Sequence, residues 1–152
     1  MKNRLTIVLA CLLLFVLAPV MNVSAVAAQG NTIVVTSTAE GGPGTLRQTL
    51  LDVQSGDTIT FDTAVFPPNA PATIYLSSGL PVISQGNLKI DASNAGVILD
   101  GSNIDEGFVP CLKIVSDGNT VHGLQLVNFA PGAGISLSKG AQHNAMFGDQ
   151  RV

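Results

Sequence analysis

The chain has 152 residues, with 7 basic and 10 acidic side chains and a formal net charge of −3 at pH 7. Sparse and mildly acidic charge argues against a nucleic-acid partner, because phosphate recognition requires clustered Lys and Arg. Two cysteines are too few for a disulfide framework or a cysteine-built zinc site. With no tryptophan and one tyrosine, any core must be built from Val, Ile, Leu and a few Phe.

Residues 1–28 have the pattern of a secretory signal peptide. Two basic residues precede an apolar run over residues 5–20, and small residues follow up to Ala27 and Ala28. The pattern predicts cleavage after Ala27 or Ala28 and a secreted or cell-surface protein. An uncleaved membrane anchor is the alternative, since the run approaches the roughly 20 residues that span a bilayer. Cleavage would leave Cys111 as the only cysteine.

A single helix is predicted near the start of the mature chain. Thr45 and Gln48 have the spacing of a capping box, with Thr45 as the N-cap. Leu46, Leu50 and Val53 follow at i, i+4 and i+7 and share one face. The stretch therefore predicts a short amphipathic helix in a chain that otherwise has the pattern of strands and turns.

The rest of the chain repeats itself. Segments 87–101, 111–123 and 134–148 align on one frame, and a looser copy begins at residue 57. The first inward positions of the four copies are separated by 29, 24 and 23 residues: Ile59, Leu88, Leu112 and Ile135. Glycines recur at the end of the frame: Gly101, Gly123 and Gly148.

Units of two or three short strands cannot bury an apolar face alone, but stacked units can. The repeat therefore predicts an all-β parallel solenoid of about three to four coils. A β-sandwich is the alternative, although it gives no reason for glycines at matching points. The helix would then cover the apolar end and the unpaired strand edge of the first coil.

The predicted organisation has three parts: the signal peptide, an N-terminal strand with the helix and the first coil strand in residues 29–62, and coils in residues 63–152. The sequence stops inside the coil that begins at Gly134, whereas a solenoid needs a cap at both ends. We therefore expect further coils of the same chain, or self-association through the open end.

Residues 36–52, TSTAEGGPGTLRQTLLD, resemble the N-terminal segment of secreted bacterial right-handed parallel β-helix proteins with a Ser-Leu-Arg-Glu-Ala-type motif. The motif stands here as Thr45-Leu46-Arg47-Gln48-Thr49. The resemblance covers residues 33–148 and implies the right-handed fold of the pectate lyases. That fold hosts lyases, hydrolases, adhesins and surface proteins, so it does not imply one activity.

The resemblance also implies what an enzyme of this fold would need. A lyase would use calcium-binding carboxylates with an arginine as base, and the mature chain offers only Arg47 and Arg151. A galacturonide hydrolase would use an adjacent aspartate pair, and the sequence contains none. No metal-ligand set and no cofactor motif is predicted, and calcium enters only under the lyase alternative.

The frame predicts which outward side chains stack, because equivalent residues of adjacent coils lie about 4.8 Å apart. Asp100 would lie on His122, either as a carboxylate and imidazole suited to proton transfer or as a surface ion pair. Lys89 would lie on Lys113, with Asp91 beside it. Two stacked lysines could bind the carboxylates of an acidic polysaccharide, or form an ordinary solvated face.

Asn119 and Asn144 occupy the same turn position and are predicted to form a stacked amide ladder with a structural role. Together these features predict a secreted or surface scaffold or interaction module without a catalytic site of its own. Its expected partners are polysaccharide or other cell-surface components. The alternative is the N-terminal part of a polysaccharide lyase or glycoside hydrolase whose catalytic coils are missing.

Overall fold

A computed structural model describes residues 30–105, 107, 109–129 and 134–148. The predicted signal peptide and Arg151 lie outside the described residues. The helix of the described part is α1 (Leu46–Asp52). The strands are β1 (Thr32–Val35), β2 (Thr58–Phe61), β3 (Ala72–Tyr75), β4 (Lys89–Asp91), β5 (Val97–Asp100), β6 (Leu112–Ile114), β7 (Thr120–His122), β8 (Leu124–Val127), β9 (Ile135–Leu137) and β10 (Ala145–Phe147).

The strands form three parallel sheets, which are the walls of a solenoid. Sheet A has the order β1-β2-β4-β7-β10, sheet B the order β3-β5-β8, and sheet C contains β6 and β9. A bridge between Ile83 and Ile114 extends sheet C by one coil. Each turn of the chain therefore runs along sheet A, then sheet B, then sheet C. The predicted all-β parallel solenoid is confirmed, with about four turns.

The core is a continuous column of aliphatic side chains inside these walls. In sheet A the inward position is held by Ile59, Ile90, Val121 and Met146, which are register partners in successive coils. The steps along this column are 31 residues from Ile59 to Ile90, 31 from Ile90 to Val121 and 25 from Val121 to Met146. The β-branched and Leu residues of the short strands alternate with polar ones, so each strand from β1 to β8 has buried residues on its inward face, whereas β9 and β10 are only partly covered.

The predicted repeat frame is correct between segments 111–123 and 134–148 and wrong for the earlier segments. Leu112 pairs with Ile135 and Val121 with Met146, as predicted. The prediction for the segment around Leu88 is wrong, because β4 pairs with β7 in sheet A and not with β6 in sheet C. The reason is that segment 87–101 contains an A strand followed by a B strand, whereas 111–123 contains a C strand followed by an A strand.

Helix α1 begins as predicted and covers the β1 end of the core. The Thr45 hydroxyl accepts a hydrogen bond from the Gln48 backbone N–H at 3.2 Å. The reciprocal half of the capping box is not formed, because the Gln48 amide instead donates to the Asp52 carboxylate. Leu46 and Leu50 are 1% and 2% exposed and belong to the common core, so the helix shields apolar surface that later coils shield by stacking.

A charged clamp holds α1 to the first complete coil. The Arg47 guanidinium donates to the carbonyls of Ser78 and Gly79 at 3.0 and 2.8 Å, and to Glu40 at 3.0 Å. Glu40 also accepts from the backbone N–H and hydroxyl of Ser77. The Ser77 backbone hydrogen bond, its hydroxyl and the Arg47 charge lower the pKa of Glu40. Arg47 is thereby committed to holding the cap in place.

No helix of the described residues has the length and apolar character that crossing a membrane requires.

Candidate functional site

The outward side of sheet A carries charged, imidazole and aromatic side chains on three neighbouring strands. Lys89 and Asp91 project from β4, Thr120 and His122 from β7, and Phe147 from β10. The register places Asp91 beside His122 and His122 beside Phe147. We call these five outward residues the A face.

The charges of the A face neutralise each other locally. The Lys89 ammonium lies 2.7 Å from Asp91 Oδ2, and the Ser93 hydroxyl donates to Asp91 Oδ1 at 2.6 Å. The hydrogen bond from Lys89, followed by that from Ser93, holds the pKa of Asp91 well below its usual range. Asp91 is consequently a carboxylate with little tendency to accept a proton.

His122 is near Asp91 without being hydrogen-bonded to it. Its Nδ1 is 3.9 Å from Asp91 Oδ1, which is longer than the 2.7–3.2 Å of protein hydrogen bonds. On its other side the imidazole meets the Phe147 ring edge to face, with ring centroids 5.6 Å apart. The side chain of His122 keeps 45% of its surface exposed, so the ring is positioned by packing and remains open to a ligand.

A cleft adjoins the A face at the corner where each coil turns from sheet A to sheet B. The connection at this corner shortens from residues 62–71 in one coil to residues 92–96 in the next, and to Gly123 alone in the third. The long first connection therefore projects beyond the shorter ones and leaves a recess above them. This corner cleft has a volume of about 350 Å³. Its lining includes Pro68, Pro71, Ser93, His122, Gln125 and Gly148.

Gly123 makes the one-residue corner feasible. Its φ of +78° is in the left-handed region that favours glycine. A Cβ at this position would lie 2.6 Å from the backbone carbon of Ala92 in the preceding coil. The absence of a side chain lets the two coils stack closely here and keeps the floor of the corner cleft low. Gly148, the register equivalent in the next coil, has open space where its Cβ would be.

The predicted pair of Asp100 and His122 is wrong. Asp100 lies in sheet B between Tyr75 and Val127, on a different wall from His122. Its carboxylate accepts hydrogen bonds from the Asn128 amide at 3.0 Å and the Ser102 backbone at 2.8 Å. The Asn128 bond and then the Ser102 bond lower the pKa of Asp100. This aspartate therefore organises the turn after β5.

The predicted stack of Lys89 and Lys113 is also wrong, because Lys113 lies in sheet C beside Ser136, whereas Lys89 lies in sheet A. Asp91 lies beside Lys89, as predicted, and its carboxylate pairs with the Lys89 ammonium. Gly101 is not equivalent to Gly123, since it follows a B strand. A Cβ on Gly101 would lie 2.6 Å from the Phe129 ring.

The predicted amide ladder is confirmed. The Asn119 side-chain amide donates to Asn144 Oδ1 at 2.9 Å, and the Asn119 backbone N–H donates to the same atom at 2.8 Å. Asn119 Oδ1 in turn accepts from the backbone N–H of Leu88 at 3.0 Å. The ladder therefore ties three successive coils together at the turn that precedes sheet A.

Sequence reasoning missed the neighbourhood of Asp91 and His122 and the corner cleft beside them. The two residues are 31 residues apart, which is the step from Ile59 to Ile90 and from Ile90 to Val121. A search for that period, instead of one near 24, would have paired them. The cleft had no such signal, because it arises from unequal corner lengths.

The described residues do not form a site for the calcium that a lyase would require. Asp91 and Asp100 are on different walls, and no group of three or more His, Cys, Asp or Glu side chains in the described ranges could hold a metal ion.

Comparison of the chain with models of protein families, with curated proteins and with solved structures finds no match.

Proposed function

We propose that this protein is a secreted or cell-surface β-solenoid that serves as a scaffold and interaction module, and that it contacts its partners through the A face and the corner cleft. The partners of such a module would be polysaccharides or other components of a cell surface. Secretion rests on the signal-peptide pattern of residues 1–28. The interaction role rests on the A face and on the cleft beside it.

The state of Asp91 is the observation that favours binding over catalysis. A general base works best when its pKa lies near the working pH and when it reaches the proton that it removes. Lys89 and Ser93 occupy the Asp91 carboxylate and lower its pKa, and His122 lies beyond hydrogen-bond distance of it. Rigid, mutually neutralised polar groups beside a recess suit recognition of a ligand without proton transfer.

The lyase or hydrolase alternative receives less support from the same geometry. A lyase would need an arginine near its carboxylates, and the Arg47 guanidinium is bound by Ser78, Gly79 and Glu40 in the cap. Asp91 and Asp100, the carboxylates carried by the described strands, belong to different sheets.

An activity assay tests the proposal against this alternative. The purified protein is incubated with polygalacturonate, with and without calcium, and the product is followed by its ultraviolet absorbance and by reducing ends. We expect neither signal. Product formation that disappears in both Asp91→Asn and His122→Ala would contradict the scaffold proposal and favour the enzyme.

Secretion is tested separately. The protein is expressed with its leader in a bacterial host, and the N-terminus of the exported form is sequenced. We expect it to begin at Ala28 or Gln29, after cleavage at Ala27 or Ala28. Retention of the leader in the membrane fraction would favour the anchor.

A further inference from the structure

We infer that the corner cleft binds a neutral saccharide ring, with the apolar edge of the sugar on Pro68 and Pro71 and its hydroxyl groups toward Ser93, His122 and Gln125. The inference rests on the proposed function and specifies the ligand class of that site.

Size is the first argument. The cleft volume of about 350 Å³ is at the lower end of the roughly 300–1,000 Å³ typical of small-molecule pockets. A recess of this size accommodates a short oligosaccharide segment, and its open side allows a longer chain to continue over the surface. The rigid walls of stacked coils keep the recess formed without a ligand, which reduces the entropy lost on binding.

The charge of the lining is the second argument. Among the described lining residues, His122 is the only one with an ionisable side chain. The carboxylate of Asp91, which is hydrogen-bonded to the lining residue Ser93, is paired with Lys89 at 2.7 Å. An acidic polysaccharide would therefore meet no unpaired lysine among the described lining residues, and Lys113, predicted to lie beside Lys89, is in sheet C. A neutral ligand avoids the desolvation of an uncompensated charge.

The distribution of apolar and polar groups is the third argument. Pro68 and Pro71 supply apolar rings on the projecting connection, whereas Ser93, His122 and Gln125 supply hydrogen-bonding groups from the other coils. The His122 imidazole and the Gln125 amide can donate and accept hydrogen bonds, and the Ser93 hydroxyl, which donates to Asp91, can still accept one. A pyranose presents C–H groups and hydroxyl groups on different sides, so the two halves of the lining match the two halves of a sugar ring.

The backbone N–H groups at the corners of Ala92, Gly96 and Gly123 are not available to a peptide that binds as an added strand, which requires free donors on an exposed sheet edge. The Gly123 N–H already donates to the Phe147 carbonyl at 3.0 Å, and the Gly96 N–H donates to the Phe66 carbonyl at 3.0 Å. The Ala92 N–H likewise donates to the His122 carbonyl at 2.8 Å. These corner donors are satisfied within the solenoid, so recognition falls to side chains.

The test is an NMR titration of the isotope-labelled protein with neutral cello-, manno- and xylotetraose, with acidic tetragalacturonate, and with tetra-alanine. We expect at least one neutral tetrasaccharide to shift the signals of His122 and Gln125 and to bind more tightly than tetragalacturonate or tetra-alanine. Gln125→Ala should weaken that binding about 3- to 10-fold, as expected for the loss of one hydrogen bond.

Gly148→Leu provides the decisive variant, because Gly148 lines the cleft and a Cβ at this position meets no atom of the described residues within 4 Å. It should weaken binding about tenfold or more by filling the cleft. Gly41→Leu is the matched control, since its Cβ also meets nothing within 4 Å and it lies outside the lining. Thermal unfolding of all three variants verifies that each retains the fold.

Three results would overturn the inference: no neutral tetrasaccharide binds, tetragalacturonate or tetra-alanine binds more tightly, or Gly148→Leu binds as well as Gly41→Leu. None of these touches the scaffold proposal, which the activity assay tests. If the bound tetrasaccharide is recovered cleaved, the ligand class is supported and the non-catalytic function is wrong. Recovery of the intact sugar supports both.

Discussion

Asn119 should be among the most sensitive polar residues of this protein. It is 2% exposed, and its Oδ1 is the acceptor for the Leu88 backbone N–H. Asn119→Ala leaves that N–H buried without its partner, which costs about 1–3 kcal/mol. It also removes the donor bonds to Asn144 Oδ1 and to the Ser116 carbonyl, both at 2.9 Å. We therefore expect the free energy of unfolding to fall by about 2–4 kcal/mol.

Asn144→Ala is the matched control. Asn144 is only half buried, so water can replace part of the hydrogen bonding that its side chain provides to Asn119. We expect a smaller loss of about 0.5–1.5 kcal/mol. The two variants are compared by urea denaturation followed by circular dichroism, with the slope of the transition checked for equality.

Asn119→Asp separates the acceptor from the donor function of the side chain. It retains an acceptor for Leu88, but it sets a carboxylate oxygen against Asn144 Oδ1 and the Ser116 carbonyl, both acceptors. Burial and repulsion would raise the pKa of this Asp in the folded state above its unfolded value of about 3.9. The unfolded chain then loses its proton first, so the deficit relative to wild type should be small near pH 3.5 and grow as pH rises.

The reasoning would be refuted if Asn119→Ala and Asn144→Ala destabilised the protein equally, or if the deficit of Asn119→Asp did not change with pH. Either result would mean that the ladder does not carry the buried hydrogen bonds that join the coils.

Three further predictions concern the cap and the far end. Leu50→Asp should destabilise the protein by about 3 kcal/mol or more in thermal or urea unfolding, whereas Leu51→Asp, at a side chain that is 60% exposed, should change it by less than about 0.5 kcal/mol. Equal effects would show that α1 does not cover a core. The pKa of Glu40 is lowered in the folded state, so its contribution to stability is present above the ordinary pKa of 4.5 and is lost as the pH falls below that value. Glu40→Gln should therefore lose less stability than wild type on acidification. Curves of unfolding free energy against pH that run parallel for the two proteins would contradict this. Ile135 and Leu137 face inward on β9, and Leu137 is 45% exposed. We therefore expect the protein to self-associate at micromolar concentration, and we expect the double variant Ile135→Lys with Leu137→Lys to reduce this association. A wild-type protein that is monomeric by light scattering would contradict this expectation.

The sequence determined the class of fold, the helical cap and the inward positions. Alternation such as TITF over residues 58–61 requires one buried strand face whatever the strand pairs with. The cap helix could also be predicted from the sequence, because the Thr45 cap and the spacing of Leu46 and Leu50 involve residues that are close together in the chain. Asn119 and Asn144 could be paired because the two strands flanking each of them belong to the same two walls in both coils.

Tertiary structure alone decided which wall each strand joins, and with it the composition of the site. The segments LKI over residues 88–90 and 112–114 are identical in sequence, yet one belongs to sheet A and the other to sheet C. Alternation specifies only that a strand has a buried face, so it could not tell the two apart. Because β4 pairs with β7, His122 lies beside Asp91 instead of Asp100, and Lys89 and Lys113 lie in different sheets. The corner cleft could not be predicted from the sequence either, because it exists only where a long connection is stacked against shorter ones. Such stacking joins residues that are far apart in the chain.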